Sequence, residues 1–499
     1  VVLTDHNTLA PKPIEGVRDG LLVMVGTEVS TTDGHVLGIG LGDPGFRFSG
    51  GAEDALQDIR DLEGAAFVSH PTSTRPDFRW TGWSRPGPWG LEVMNGDSAW
   101  RAAGPLGLAR AVAAYPLNRR YALLSPFGMP KEALERWDAL LARRDVPAVI
   151  GADAHQRIEL RRGLVLRAPS YESVFASLRQ YVLLDGAPAG DAARDSRAVV
   201  EALARGRSYA ALEGLAPADG FSFVAVRAGT QATMGDTVAP APDLLLRAAG
   251  RVPREARLRL LRDGRVVQEG PAPLEVRAEV EGVYRVEAFL PRWEAPWVMT
   301  NPIYVFGPQR AAERRAAAAW PTPPPPPAPA ALLDDFEGET WFAGVADARS
   351  TVERAVQAAG EGEGGSVAAR FRFRLGEPTA DHPDVFAALI NERPPGTLAG
   401  RQGIVLSLRG DGVYRVWFQV RDANPASRDG GTEWWFTSLK TAPEWRRVAI
   451  PFESLRSINP ATDGRLDLDK VRALVFVVDK GTLAPGTAGT IWVDDIGVY

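Results

Sequence analysis

The chain has 499 residues, a net charge of −5 and no cysteine. That length exceeds one ordinary core, so about three domains are expected. Disulfides, thiolate metal sites and a cysteine nucleophile are excluded, basic and acidic residues are too evenly mixed for a nucleic-acid partner, and no apolar run is long enough for a membrane span.

In chain order, VVLTDHN starts at Val1 inside a strand pattern. GLLVMVGTE (20–28), GAAFVSHP (64–71), GLEVMNG (90–96) and VPAVIGADAH (146–155) each read as a buried strand ending in polar residues. Between them AEDALQDIRDL (52–62) and PKEALERWDALLARR (130–144) have helical periodicity. Apolar strands alternating with amphipathic helices predict parallel β/α units. Polar residues at the strand C-termini favour a barrel over an open sheet across residues 1–226.

Residues 227–307 carry short alternating strands and an Asp263-Gly264 hairpin turn, as in a small immunoglobulin-like β-sandwich. An Ala/Pro-rich stretch at 308–331 predicts a semi-stiff linker. From 332 to 499 the chain is β-rich and aromatic, which predicts a larger sandwich of jelly-roll type. The fold class is therefore multidomain: an α/β barrel, then an immunoglobulin-like sandwich, then a β jelly roll.

The chain has five histidines, and four of them lie in the first region. His6 follows VVLTD, His70 follows AAFVS, and His155 follows VIGADA with Asp153 two residues before it. His35 comes seven residues after Glu28, at the end of LLVMVGTE. Any one of these could be an ordinary core or loop histidine. Gathered on one rim, imidazoles and carboxylates form the mixed N/O set that holds Zn, Mn or Fe, and a carboxylate such as Glu28 can bridge two ions.

TDHN, GTE followed by GH, SHP and GADAH, in this order, resemble the later motifs of the PHP (polymerase and histidinol phosphatase) metal-dependent hydrolases. The resemblance implies a distorted (β/α)7 barrel carrying two or three divalent ions. It implies metal ligands at His6, Glu28, His35, His70, Asp153 and His155, with Glu28 and Asp153 central to catalysis and Asp5 orienting its neighbours. A His-x-His motif that would precede TDHN is not in this chain, as expected if the sequence is a piece of a longer one. GTE…GH, GLEVMNG and WVMTNPIYV further resemble the carbaryl-hydrolase-like members, which implies phosphate esters or carboxylic esters, carbamates and amides as substrates.

Arg75 is a candidate for binding a substrate anion, or else a surface ion-pair residue. Asn95 points to the same rim as a second substrate contact, or caps a turn. Trp80, Trp83 and Trp89 form an aromatic wall over the site or pack against the barrel edge.

LLDDFEGE and WVDDIGVY resemble the ends of carbohydrate-binding modules of the galactose-binding-like superfamily. That resemblance implies a structural calcium near Asp334, Asp335 and Asp494, or simply turn capping there. Trp434 and Trp435 are candidates for stacking on sugar rings, although adjacent strand positions must face opposite ways. His382 is read as a surface residue.

The expected function is a metal-dependent phosphoesterase using a metal-bridging hydroxide, with a module that places it on a glycan or cell-envelope surface. The alternatives are an ester, carbamate or amide hydrolase on the same cluster, or a non-catalytic carbohydrate- or surface-binding protein with a degenerate barrel. An extracytoplasmic location goes with the binding-module resemblance.

Overall fold

The computed structural model describes residues 1–499 apart from 49, 156–157, 162–163, 167–168, 339–341, 428–430, 458 and 460–461, with 158–161, 164–166 and 354–358 described by their backbone alone. Two compact units emerge: residues 1–42 with 51–321, and residues 43–50 with 322–499.

The first unit begins with β1 (Val2–His6), β2 (Gly16–Arg18), β3 (Leu21–Thr31), β4 (Gly34–Ile39), β5 (Ala65–Ser69), β6 (Trp89–Asn95) and β7 (Ala148–Gly151). These make one sheet in the order β1-β3-β4-β5-β6-β7, with β2 added beside β3. Its helices are α1 (Ala52–Asp61), α2 (Gly96–Ala102), α3 (Pro105–Ala114), α4 (Arg119–Leu124), α5 (Lys131–Leu141), α6 (Tyr171–Phe175), α7 (Ala192–Ala204) and α8 (Pro308–Ala318). Val200 and Leu203 of α7 cover one face of the sheet, packing on Met24, Leu37, Phe67 and Val149.

The expected (β/α)7 barrel is not formed. β4 runs antiparallel to both β3 and β5, and β1 and β7 stand at opposite ends of the strand order, so the sheet is open and mixed among the described residues. The physical reason lies in TTDG. GTEVST does not stop at Glu28 but continues to Thr31 and turns straight back as β4, where a parallel barrel would need a crossover helix. A continuous apolar strand signals burial on both faces, and helices over an open sheet supply that burial as well as a barrel does.

β8 (Ile158–Arg161) and β9 (Leu164–Leu166) pair antiparallel. A β-sandwich follows, from β10 (Arg179–Val182), β11 (Ser208–Ala211), β12 (Ser222–Arg227), β13 (Thr230–Thr233), β14 (Thr237–Val238) and β15 (Leu245–Ala249). It continues through β16 (Arg257–Arg262), β17 (Arg265–Gly270), β18 (Leu274–Arg277), β19 (Gly282–Phe289), β20 (Val298–Thr300) and β21 (Ile303–Val305). One sheet runs β10-β11-β20-β19-β16-β17 with β14 and β21 alongside, the other β13-β12-β15-β18. Phe223, Leu246, Leu258, Val286 and Trp297 fill the space between them. Asn301 ties this sandwich to the first sheet: its Oδ1 accepts from Ala148 N at 2.7 Å, and its Nδ2 donates to Ala148 O at 2.8 Å and Ser208 O at 3.1 Å. Residues 308–318 are helical. The buried Arg314 of α8 pairs with Asp145 at 2.8 Å and lies over the Phe306 ring.

The second unit is a sandwich of two six-stranded sheets. Its strands are β22 (Ala331–Asp334), β23 (Phe342–Ala346), β24 (Thr351–Ala359), β25 (Val367–Arg374), β26 (Phe386–Glu392) and β27 (Gly403–Gly410). The remainder are β28 (Arg415–Ala423), β29 (Thr432–Lys440), β30 (Arg446–Pro451), β31 (Arg456–Ser457), β32 (Val471–Asp479) and β33 (Ala488–Val498). One sheet runs β24-β25-β33-β27-β30 with β22 beside β33, the other β23-β26-β32-β28-β29-β31. Phe371, Phe373, Leu406, Phe418, Phe476 and Val493 form the core between them. Phe46, from the 43–50 segment, is a member of that core.

Candidate metal centre

β1, β3, β5, β6 and β7 all finish at the same end of the first sheet, where antiparallel β4 begins. In the β1–β3 ladder His6 is level with Glu28. His35, on β4, is level with Ser30, and residues two apart on a strand share a face, so it lies on the face of Glu28. Asn7 pins the end of β1, accepting from Ser30 N at 2.9 Å, and buried Thr27 donates to Asp5 O at 3.0 Å. Asn7, His70 and Asp153 have φ of 55°, 31° and 45°, so three strand ends turn through the left-handed region that most residues avoid.

Glu28 is the centre of the group. Its Oε1 lies 2.8 Å from His35 Nδ1 and 2.9 Å from His70 Nε2. The His35 ring stands edge-on to both His6 and His70, at centroid distances of 5.3 and 5.0 Å. Ligand atoms of His6, Glu28 and His35 all lie within 4.8 Å of one another. Burial alone would raise Glu28, but the bonds to His35 and His70 outweigh it and hold the carboxyl at about 2. Burial would lower His70, yet the Glu28 bond and the charge of Glu92 push it up to about 9. Asp153 is raised by burial first and then by the charge of Glu28.

The other candidates make contacts of their own. His155 is exposed and pairs with Asp153 at 3.4 Å. Asp5 is exposed on β1. Asn95 caps α2, accepting from Ser98 N at 2.9 Å, while its Nδ2 donates to Glu92 at 2.8 Å. Arg75 lies over the Phe78 ring at 3.6 Å, and Phe78 in turn packs against His35 at 4.7 Å and His70 at 5.5 Å. A guanidinium thus stands one ring away from the imidazoles. Trp80 and Trp89 are buried edge to face at 5.9 Å, so these two pack inside the unit, while Arg136 lies over the Trp83 ring.

Glu92 was not anticipated. Its Oε2 accepts from His70 N at 2.7 Å, Asn95 Nδ2 at 2.8 Å and Ser69 Oγ at 3.1 Å, which locks the ends of β5 and β6 together. Burial and the charge of Asp153 push its carboxyl up to about 7. The available signal was a lone acid inside the otherwise apolar GLEVM, since a buried carboxylate must find partners.

In the second unit Trp435 faces the core, whereas Trp434 lies on the outer face with Arg421 stacked over it at 4.4 Å. Trp435 therefore has no surface to offer a sugar. Trp417 and Phe436 share the outer face with Trp434 and meet edge to face at 5.1 Å. Asp494 Oδ2 accepts from Glu363 N and Ser366 Oγ, both at 2.9 Å; Asp334 pairs with Arg393; Asp335 accepts from Glu337 N. His382 is exposed.

The first unit thus presents a three-histidine, one-carboxylate cluster at the end of an open mixed sheet. No family model matches the chain, and no curated protein matches it. Among solved structures it is similar to the family 11 carbohydrate-binding module of the cellulosomal cellulase Lic26A-Cel5E of Clostridium thermocellum, at 22% identity over 34% of this chain and 92% of that one, with a TM-score of 0.28. The family 30 module of the cellulosomal cellulase Cel9D-Cel44B of the same organism matches at 15% identity over 30% of this chain and 82% of that one, with a TM-score of 0.22. TmCBM61, solved with β-1,4-galactotriose, matches at 16% identity over 33% and 90%, with a TM-score of 0.18. No helix among the described residues is long and apolar enough to cross a membrane.

Proposed function

We propose that the first unit is a divalent-metal-dependent hydrolase acting on phosphate esters. The observation that carries this reading is the single Glu28 oxygen shared by His35 and His70, with His6 closing the group. Its donors are nitrogen and oxygen only, the set suited to zinc, manganese or iron. His6, Glu28, His35 and His70 would hold the ions, and Asp153 adds negative charge beside them. Bound there, such ions supply the Lewis acidity that activates water and polarises a phosphoryl oxygen. The chain's own residues do the positioning. Glu92 fixes the main chain of His70, Phe78 shields the imidazoles on one side, and Arg75 offers its guanidinium to an anionic substrate.

Metal analysis of the purified protein before and after chelation, with turnover of aryl phosphates, phosphodiesters and aryl esters, tests the proposal. Stoichiometric metal and chelator-sensitive phosphate release support it. A metal-free protein that gains no activity on reloading would sink it, and ester turnover alone would move the substrate to the carboxylic-ester and amide class.

A second reading concerns the second unit. Trp417, Trp434 and Phe436 on one outer sheet face favour saccharide binding, because aromatic faces stack on sugar rings. Retardation of the protein in gels containing soluble glucans or galactans is the expected result. Unchanged mobility across such a panel would count against it.

A further inference from the structure

We propose a calcium site at one end of the core of the second unit, between Asp422 and Glu433. The two residues are directly opposite each other on β28 and β29. Val416, Phe418 and Val420 of β28 and Trp435 and Leu439 of β29 point into the core. Side chains alternate along a strand, so Asp422 and Glu433, two residues beyond Val420 and two before Trp435, point inward as well. Their residues are 1% and 0% exposed. Like charges facing each other across a ladder repel, and burial removes the water that would screen them.

The donors around them leave one oxygen over. Glu433 accepts from Asn424 Nδ2 at 2.6 Å and from Thr462 Oγ1. Asp422 Oδ2 accepts from Asp467 N at 2.8 Å. Among the described residues Asp422 Oδ1 is buried without a hydrogen-bond partner. Among the described residues neither acid has an ion pair with a lysine or arginine. A buried carboxylate oxygen facing a second carboxylate, with no donor of its own, is where a cation belongs. Among the described residues the polar side chains here present oxygen and amide groups with no imidazole, which selects a hard ion, and calcium tolerates irregular oxygen sets that magnesium does not.

Occupancy would reach the outer face. Trp434 follows Glu433 in sequence, and its N–H donates to Asn459 Oδ1 at 2.7 Å. A cation here would fasten the strand that carries Trp434, whether or not that face binds a saccharide.

The test uses the full chain after chelator treatment. Calcium at about 1 mM, the upper end of the dissociation constants of extracellular modules, should raise the unfolding temperature of the second unit by several degrees, and magnesium should do so far less. Terbium should bind with luminescence sensitised by Trp435, and calcium should displace it. Asp422→Asn and Glu433→Gln should each abolish both effects. A wild-type protein indifferent to calcium overturns the site. So does a calcium shift that survives in both variants, which would place the ion elsewhere. A calcium-insensitive wild type that Asp422→Asn renders more stable would mean that the acids share a proton instead.

Discussion

Glu92 and Gly151 are fitted to one another across β6 and β7. A β-carbon added at residue 151 would lie 1.7 Å from Glu92 Oε1, so only bare backbone leaves room for the carboxylate. Gly151→Ala should therefore displace Glu92, free the main chain of His70 and cost about 1–3 kcal/mol, the usual range for overpacking. Thermal unfolding and bound-metal content report the two effects together. A variant that matches wild type in both would show that Glu92 does not position His70.

Glu28→Gln keeps the shape of the side chain and removes its charge. Even groups that only orient ligands change metal affinity about 10–100-fold, so this change at the centre of the cluster should cost at least about 100-fold in affinity. Metal titration of the chelated variant measures it. Affinity within a few-fold of wild type would remove Glu28 from the centre.

Asn301→Ala should destabilise the first unit by roughly 2–6 kcal/mol, because it strands the buried N–H and C=O of Ala148 at about 1–3 kcal/mol each. Denaturant unfolding should show a lower midpoint at an unchanged slope. A loss under about 1 kcal/mol, the net worth of one ordinary hydrogen bond, would mean that water replaces the amide.

Trp435→Ala and Trp434→Ala should separate stability from surface chemistry. Trp435 is a core side chain, and its truncation should cost about 3–5 kcal/mol. Trp434→Ala should leave the unfolding midpoint nearly unchanged while abolishing any retention by polysaccharide. The reverse pattern would mean that the faces of β29 are misassigned.

Which parts of this were readable in the sequence follows from how local each signal is. A histidine just after an apolar run marks a strand end without reference to any other strand, so His6 and His70 could be placed at one from the sequence. Whether a strand pairs parallel or antiparallel is not local, and the reversal at Thr31–Gly34 undid the barrel. Glu28 shows the same limit. The polar GTE marks it as a strand terminus, yet it lies mid-strand and reaches the cluster because β4 folds back beside it. The alternation of Trp434 and Trp435 was legible, but which of them faced inward depended on a sheet partner far away in sequence.

Residues 43–50 have a kinetic consequence. Phe46 fills part of a core whose other members lie beyond residue 335, and Arg415 Nε donates to Arg47 O across 368 positions of sequence. Closing a loop of that length is slow, and until it closes this core lacks the Phe46 ring. A ribosome makes Phe46 long before the strands that receive it. The second unit, cut away at the proline run, would start folding without this part of its own interior.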